Sequence, residues 1–79
     1  MTDKQKLIDK GNHAKRLLED EVFLEAFSRI EADLFDEWKS SGVNEYDERS
    51  ELFLTFKCLE RLKARLRAIL DDGTIASRS

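Results

Sequence analysis

The chain has 79 residues, of which 17 are acidic and 14 are basic, and its net charge at pH 7 is −3. A chain of this length forms at most one domain, residues 1–79, and a lone copy buries only about 60% of the surface that its unfolded form exposes. No stretch approaches the roughly 20 apolar residues of a membrane span, and the polar first ten residues do not resemble a secretory signal peptide. The single cysteine, Cys58, excludes an intrachain disulfide and favours a reducing compartment.

The charges are strongly segregated along the chain. Residues 1–18 carry five bases and two acids, residues 19–48 carry eleven acids and two bases, and residues 57–67 carry five bases and one acid. An acidic middle between two basic segments predicts that the segments neutralise one another when the chain folds back on itself.

The first predicted helix spans residues 3–18, with Thr2 or Asp3 as its N-terminal cap. Its apolar line is narrow, and Gly11 lies in the same row as Leu7, Ala14 and Leu18. A glycine in a helix interior lowers the stability of the helix by about 1 kcal/mol relative to alanine. The presence of Gly11 therefore has two possible interpretations. The helix is either weak and frayed, or a neighbouring backbone approaches closely across Gly11 and Ala14.

The second predicted helix spans residues 21–40, with Asp20 as its N-cap and Gly42 as a left-handed C-terminal cap. Its apolar residues cover an arc of about 220° at 100° per residue, which is far wider than the stripe of an ordinary surface helix. One neighbouring helix does not cover such an arc. A second neighbour is required, either the first helix or another chain.

The third predicted helix spans residues 45–71, with Asn44 as its cap and Gly73 as its stop signal. Its apolar positions recur at steps of three and four, which places them on one helical face: Leu52, Phe56, Leu59, Leu62, Leu66 and Ile69. The small polar tail, residues 74–79, is expected to be mobile. The predicted fold is all-α, a long antiparallel hairpin of the second and third helices with the shorter first helix laid across it, in an oligomer.

No residue pattern indicates an enzyme, a metal site or a cofactor site. His13 is a surface histidine, Cys58 is expected to be a small buried hydrophobe at the core edge, and the Asp33, Asp36 and Glu37 cluster lacks the Glu-x-x-His step of helical metal sites. The sequence has no glycine-rich phosphate loop and no zinc-type spacing. We therefore expect no catalytic, metal-binding or cofactor-binding residues.

The remaining functional signals indicate an interface. Trp38 ends the wide apolar arc, where it either caps the core or anchors a partner, and a basic stripe of Lys57, Arg61 and Arg65 lies on the outer face of the third helix. The stripe is expected to meet acidic residues of a neighbouring copy. The interface candidates are Phe23, Phe27, Leu34, Phe35, Trp38, Phe53, Lys57, Arg61 and Arg65.

About three quarters of the chain resembles a group of short proteins encoded in tailed-phage and prophage genomes. The resemblance is carried by an alanine and leucine pair, an acidic residue, an AF-x-x-(I/L)-E core, a Trp before a loop, an Arg at the start of a long helix, and a closing segment with Leu, Ile or Leu, and then G-x-(I/L)-A. The matching residues are Ala14, Leu17, Leu18, Asp20, Ala26, Phe27, Ile30, Glu31, Trp38, Arg49, Leu66, Ile69, Gly73, Ile75 and Ala76.

Genes of this group often lie among virion-structure and packaging genes, so the resemblance implies a role in particle assembly. We therefore expect a non-enzymatic interaction protein, a small structural or adaptor component of virion assembly, in the host cytoplasm and/or the virion. Its expected partners are further copies of itself and/or other phage structural proteins. The alternative is a nucleic-acid-associated regulator or packaging factor that uses the basic stripe, although the acidic chain disfavours phosphate binding.

Overall fold

The structure is a computed structural model that describes residues 2–79. These residues form three helices and no strand: α1 is Asp3–Glu19, α2 is Glu21–Ser40 and α3 is Tyr46–Arg78. The all-helical prediction is confirmed. None of the helices in the described part of the chain is long and apolar enough to cross a membrane.

Short polar residues cap the first two helices. The Thr2 hydroxyl accepts a hydrogen bond from the backbone N–H of Gln5 at 3.0 Å, and the Asp20 carboxylate accepts one from the N–H of Phe23 at 2.8 Å. Asp20 also ends α1, because its own N–H donates to the carbonyl of Leu17. A single residue in an extended conformation therefore separates α1 from α2 and turns the chain between them.

The connection from α2 to α3 differs from the prediction at both caps. Ser41 ends α2 by donating its N–H to the carbonyl of Trp38, and no glycine among residues 2–79 has a positive φ, so Gly42 is not a left-handed cap. Glu45 occupies the N-cap of α3 without a side-chain cap hydrogen bond, while the Asn44 side chain accepts from the Tyr46 hydroxyl at 3.4 Å. The predicted Asn44 cap is therefore wrong.

Helix α3 runs through Gly73 to Arg78, so the predicted end at residue 71 and the predicted mobile tail are wrong. The physical reason is tertiary. A Cβ atom built on Gly11 would lie 2.8 Å from the Cα of Gly73, and one built on Gly73 would lie 2.7 Å from the Cα of Gly11. Gly73 therefore provides the close approach between α1 and α3, and it does not act as a helix stop.

The small residues Ala14 and Ala76, 3% and 7% exposed, extend the contact around Gly11 and Gly73. This favours the close-approach interpretation of Gly11 over a frayed helix. The start of α1 lies beside the end of α3, since the Lys4 ammonium donates to the carbonyl of Ser79. Helix α1 thus packs chiefly along the C-terminal part of α3, whereas the sequence predicts that it lies across α2 and α3.

Helices α2 and α3 contact each other more sparsely than α1 and α3 do. Lys63 of α3 donates to a carboxylate oxygen of Glu31 at 3.1 Å, and this is the cross-helix ion pair within residues 2–79. The predicted neutralisation between segments occurs at this pair. The other two ion pairs, Arg29–Asp33 and Lys57–Glu60, lie within single helices.

The molecule is long and its core is thin. It measures 54 × 23 × 17 Å with a radius of gyration of 17.1 Å, whereas about 12 Å is typical of a globular domain of this length. Among residues 2–79 the buried apolar side chains are Ala14, Phe27 and Ala76. Most large apolar side chains are therefore only partly covered by the chain itself.

Candidate functional site

An apolar groove opens between α2 and α3 near their connecting loop. It has a volume of about 310 Å³. Helix α2 contributes one wall and α3 the other, and Glu31 is the one charged residue among those that line it. The lining residues are Glu31, Leu34, Phe35, Trp38, Leu52, Phe53 and Phe56.

The groove exists because each helix places apolar side chains at helical spacing on the side that faces the other helix. Leu34 and Trp38 lie one turn apart on α2, as Leu52 and Phe56 do on α3. The sparse contact between the helices leaves their rings partly uncovered. Phe35 and Phe53 are each 58% exposed, and Trp38 is 43% exposed. Four aromatic rings line the groove, of which Phe56 is half-buried, and the three exposed rings form an apolar patch of the kind that marks protein interfaces.

Each of these three rings has a cation placed over it. The Lys39 ammonium lies 5.1 Å from the Phe35 ring centroid, and the Lys57 ammonium lies 5.6 Å from that of Phe53. The Arg49 guanidinium lies 4.3 Å from the Trp38 ring centroid. Cations at such distances are attracted to the negative face of the ring, by about 0.5–1 kcal/mol at exposed sites. The three cations therefore lie on the rim of the groove.

Trp38 has two roles in this arrangement. It contacts Arg49 across the two helices, and it lines the groove with its exposed part. The contact with Arg49 fits the core-cap interpretation from the sequence, while the interface-anchor interpretation of the exposed part stays a prediction.

Beyond the groove, α2 packs on α3 through Phe27. This ring is 6% exposed, it packs against half-buried Phe23 in a tilted arrangement at a centroid distance of 4.8 Å, and Lys63 lies over it at 5.0 Å. Phe27 is thus buried within the chain, and its assignment as an interface candidate stays a prediction. Lys63 also pairs with Glu31 at the inner end of the groove.

Arg61 and Arg65 of the basic stripe lie outside the groove, whereas Lys57 reaches the rim of the groove over the Phe53 ring. Lys57 is within 3.9 Å of Glu60, while Arg61 and Arg65 belong to no ion pair within residues 2–79. They flank Leu62, which is 49% exposed, on a shallow surface of α3. The acidic residues Asp33, Asp36 and Glu37 are exposed on α2, and Asp33 pairs with Arg29 at 3.4 Å. The stripe therefore keeps its charge available to another molecule.

The side chains considered for catalysis or metal binding do not lie together. His13 is exposed on α1, and Cys58 is exposed on α3, so the prediction that Cys58 is buried is wrong. No group of three or more metal-ligating side chains occurs within residues 2–79. The resolved pKa shifts belong to exposed Glu45 and Glu48, where a hydrogen bond between the two carboxyl groups lowers the pKa of Glu45 and raises that of Glu48.

Comparisons of the chain with protein-family models, with curated proteins and with solved structures give no match. The function is therefore inferred from the groove, its charged rim and the basic stripe.

The sequence identified Leu34, Phe35, Trp38 and Phe53 as interface candidates, and the structure brings these four together in the groove. It missed Lys39 and Arg49. The Lys39–Phe35 contact has a signal in the sequence, because residues four apart on a helix are neighbours. The Arg49–Trp38 contact crosses two helices and requires the tertiary structure.

Proposed function

We propose that this chain is a non-enzymatic interaction protein, a small structural or adaptor component of phage virion assembly. One observation carries the proposal: three exposed aromatic rings, Phe35, Trp38 and Phe53, line an open groove in a molecule with a thin core. Such side chains in a groove are the usual anchors of protein interfaces. The link to phage assembly comes from the resemblance of the sequence to short proteins of tailed phages and prophages.

In this proposal α2 and α3 form a helical hairpin whose open face is covered by another protein. The covering protein is a further copy of the chain or another structural protein of the particle. The chain acts in the host cytoplasm during assembly and/or within the virion. The charged rim supports the proposal, because complementary charges around an apolar centre set the orientation of a partner.

The test is to measure the amount of this protein in purified particles and in assembly intermediates by quantitative mass spectrometry. A host cytosolic protein of similar abundance provides the baseline for contamination. We expect enrichment over that baseline in at least one fraction, and a lower particle yield when the gene is deleted. Absence from every fraction together with an unchanged particle yield would contradict the proposal.

A second candidate function is nucleic-acid association through the basic stripe. It is favoured by Arg61 and Arg65, which are exposed and belong to no ion pair within the described residues. Phosphate binding, however, gains its affinity from many simultaneous contacts. Three cations on a chain of net charge −3 are few, so we rank this function second.

A further inference from the structure

Folding separates the charges of the chain along the length of the molecule. Helix α1 packs along the C-terminal part of α3, where Gly11 contacts Gly73, and α2 packs beside the preceding part of α3, where the groove lies. Residues 2–18 and 61–79 therefore form a basic end with ten bases and four acids, whereas residues 19–60 form an acidic end with four bases and thirteen acids. The two ends carry net charges of +6 and −9 in a molecule 54 Å long.

The positive charge of the basic end is not neutralised within the chain. Of its ten bases, Lys63 alone belongs to an ion pair within residues 2–79, and the other nine are exposed. Because α1 brings its bases to a part of α3 that is itself basic, like charges lie together at this end and repel one another. A bound anionic partner relieves this repulsion.

The basic surface, which consists of Arg61, Leu62, Ala64, Arg65 and Ala68, lies on α3 at the basic end. Both arginines are exposed, and Leu62 is 49% exposed beside them. A guanidinium binds a carboxylate or a phosphate through two parallel hydrogen bonds. The leucine and the two small alanines add an apolar area against which another helix can pack. The surface thus combines two anion-binding groups with exposed apolar atoms.

We propose that the basic surface binds an acidic amphipathic helix of another protein, with carboxylates on Arg61 and Arg65 and apolar side chains on Leu62. This inference depends on the proposed function, because it names the chemistry of a partner of the interaction protein. The carboxylates of the partner complement the charge of the basic end, and its apolar side chains cover a leucine that the chain itself leaves exposed. A helix presents both kinds of side chain on adjoining faces.

A nucleic acid fits the same surface less well. All seven aromatic residues of the chain lie within residues 23–56, so the basic end has no ring on which a base can stack. A phosphate backbone also leaves Leu62 without an apolar contact. A long phosphate chain further approaches the acidic end, whose charge of −9 repels it. These features favour a polypeptide as the anionic partner.

A second copy of the chain is also a less suitable partner for this surface. Its acidic end would meet the basic end of the first copy head to tail, and such a contact leaves a free end that binds the next copy. The product is a filament of indefinite length, whereas an adaptor forms a complex of finite size. We therefore assign the acidic helix to a different protein.

Fluorescence anisotropy with the full chain and a labelled acidic peptide tests the inference. The peptide has about 21 residues, enough for about six helical turns, with leucines at steps of three and four and glutamates elsewhere. We expect a dissociation constant of about 10 µM or tighter at about 50 mM salt, and a rise of at least about fivefold at about 200 mM salt, because salt screens exposed charges. The same peptide with lysine in place of glutamate should not bind.

Two variants test the arginine and leucine contacts separately. Arg65→Glu should weaken binding of the acidic peptide at least about tenfold, and Arg29→Glu, which makes the same change in net charge at the acidic end, is its matched control. Leu62→Ser should weaken binding at least about fivefold, and Leu54→Ser is its control, because Leu54 is 61% exposed on α3 outside the basic surface. Circular dichroism checks that the helices persist, and Arg65→Gln and Leu62→Ala replace any variant whose helix content falls.

Four outcomes would overturn the inference. The first is no binding of the acidic peptide, and the second is tighter binding of DNA of about 20 nucleotides than of the peptide, which would favour phosphates as the ligand. The third is an equal loss of binding in Arg65→Glu and Arg29→Glu, which would show a non-specific effect of net charge. The fourth is self-association of the chain alone that Arg65→Glu abolishes in sedimentation experiments, which would assign the surface to a second copy.

Failure of this inference is distinguishable from failure of the proposed function. A chain that does not bind the acidic peptide but is enriched in particles refutes the acidic partner and supports the proposed function. A chain that binds the peptide through Arg65, but is absent from particles and intermediates and leaves the particle yield unchanged when deleted, does the reverse.

Discussion

Gly11 of α1 and Gly73 of α3 are in backbone contact, because each lacks the Cβ atom that would prevent it. A Cβ built on Gly73 would also lie 2.8 Å from the carbonyl oxygen of Leu7, which is backbone and does not move independently of the helix. This contact fixes α1 on the C-terminal part of α3 and keeps α3 helical beyond the glycine that its sequence would otherwise make a stop.

We therefore predict that Gly73→Ala destabilises the protein although alanine is the better helix former. Overpacking costs about 1–3 kcal/mol, with a backbone clash at the upper end, and the gain in helix propensity offsets about 1 kcal/mol of it. The net loss in the free energy of unfolding should be about 1–2 kcal/mol, measured by urea denaturation.

Gly42→Ala is the control for this experiment. Its added Cβ would meet the flexible side chain of Glu45 at 3.3 Å, and Gly42 has no positive φ. It should change the free energy of unfolding by less than about 0.5 kcal/mol. A Gly73→Ala chain that is more stable than the wild type would show that α1 does not pack on α3 through these glycines.

We predict that Trp38→Ala weakens association more than it weakens helicity. The substitution removes a groove ring and the cation–π contact with Arg49, but it leaves buried Phe27 in place. Association is measured by sedimentation and helicity by circular dichroism. A proportionate loss of both would return Trp38 to a purely structural role.

We predict no measurable DNA or RNA binding by the isolated protein near physiological salt. If Lys57, Arg61 and Arg65 contacted phosphates, the affinity would fall with salt at a logarithmic slope of about −0.9 per neutralised phosphate. Three contacts give little affinity, so we expect at most weak, sequence-independent binding at low salt. Fluorescence anisotropy with labelled duplexes and single strands measures this, and submicromolar salt-sensitive binding would favour the second candidate function.

We predict that Arg61→Glu impairs incorporation into the larger assembly and leaves the helical fold intact, because Arg61 is exposed outside the groove. If the stripe meets acids of a neighbouring copy, reversing one of those acids should partly restore incorporation. Asp36 is the first choice, since Asp33 already pairs with Arg29, and Glu37 is the second. Failure of every reversal would assign the stripe to a different component.

Local signals in the sequence predicted α1, α2 and their N-terminal caps well, although Ser41 and not Gly42 ends α2. Thr2 and Asp20 cap the helices as expected, and α2 begins and ends where the sequence indicates. The end of α3 could not be predicted, because the role of Gly73 depends on Gly11, 62 positions away in the chain. Local spacing alone predicts that the helix stops at Gly73.

The candidate site was also predicted only in part. The apolar spacing of α2 and α3 indicated the groove walls, but it did not distinguish buried Phe27 from the exposed groove rings, and it placed exposed Cys58 at the core edge. Helical periodicity predicts on which face of a helix a residue lies, but it does not predict how closely the facing helix approaches that face. That distance is set by packing partners, and it decides that Phe27 is buried while Phe35, which lies two turns further along α2, is exposed.

Hydroxyl-radical footprinting tests most directly whether the groove is an interface. Labelling of Phe35, Trp38 and Phe53 is compared between a dilute, monomeric sample and the associated or particle-bound protein, with Ile75 as the exposed reference on α3. We expect the three groove residues to be labelled several-fold less in the associated state, relative to Ile75, because a buried anchor loses its contact with water. Equal labelling of the groove residues in both states would contradict the account.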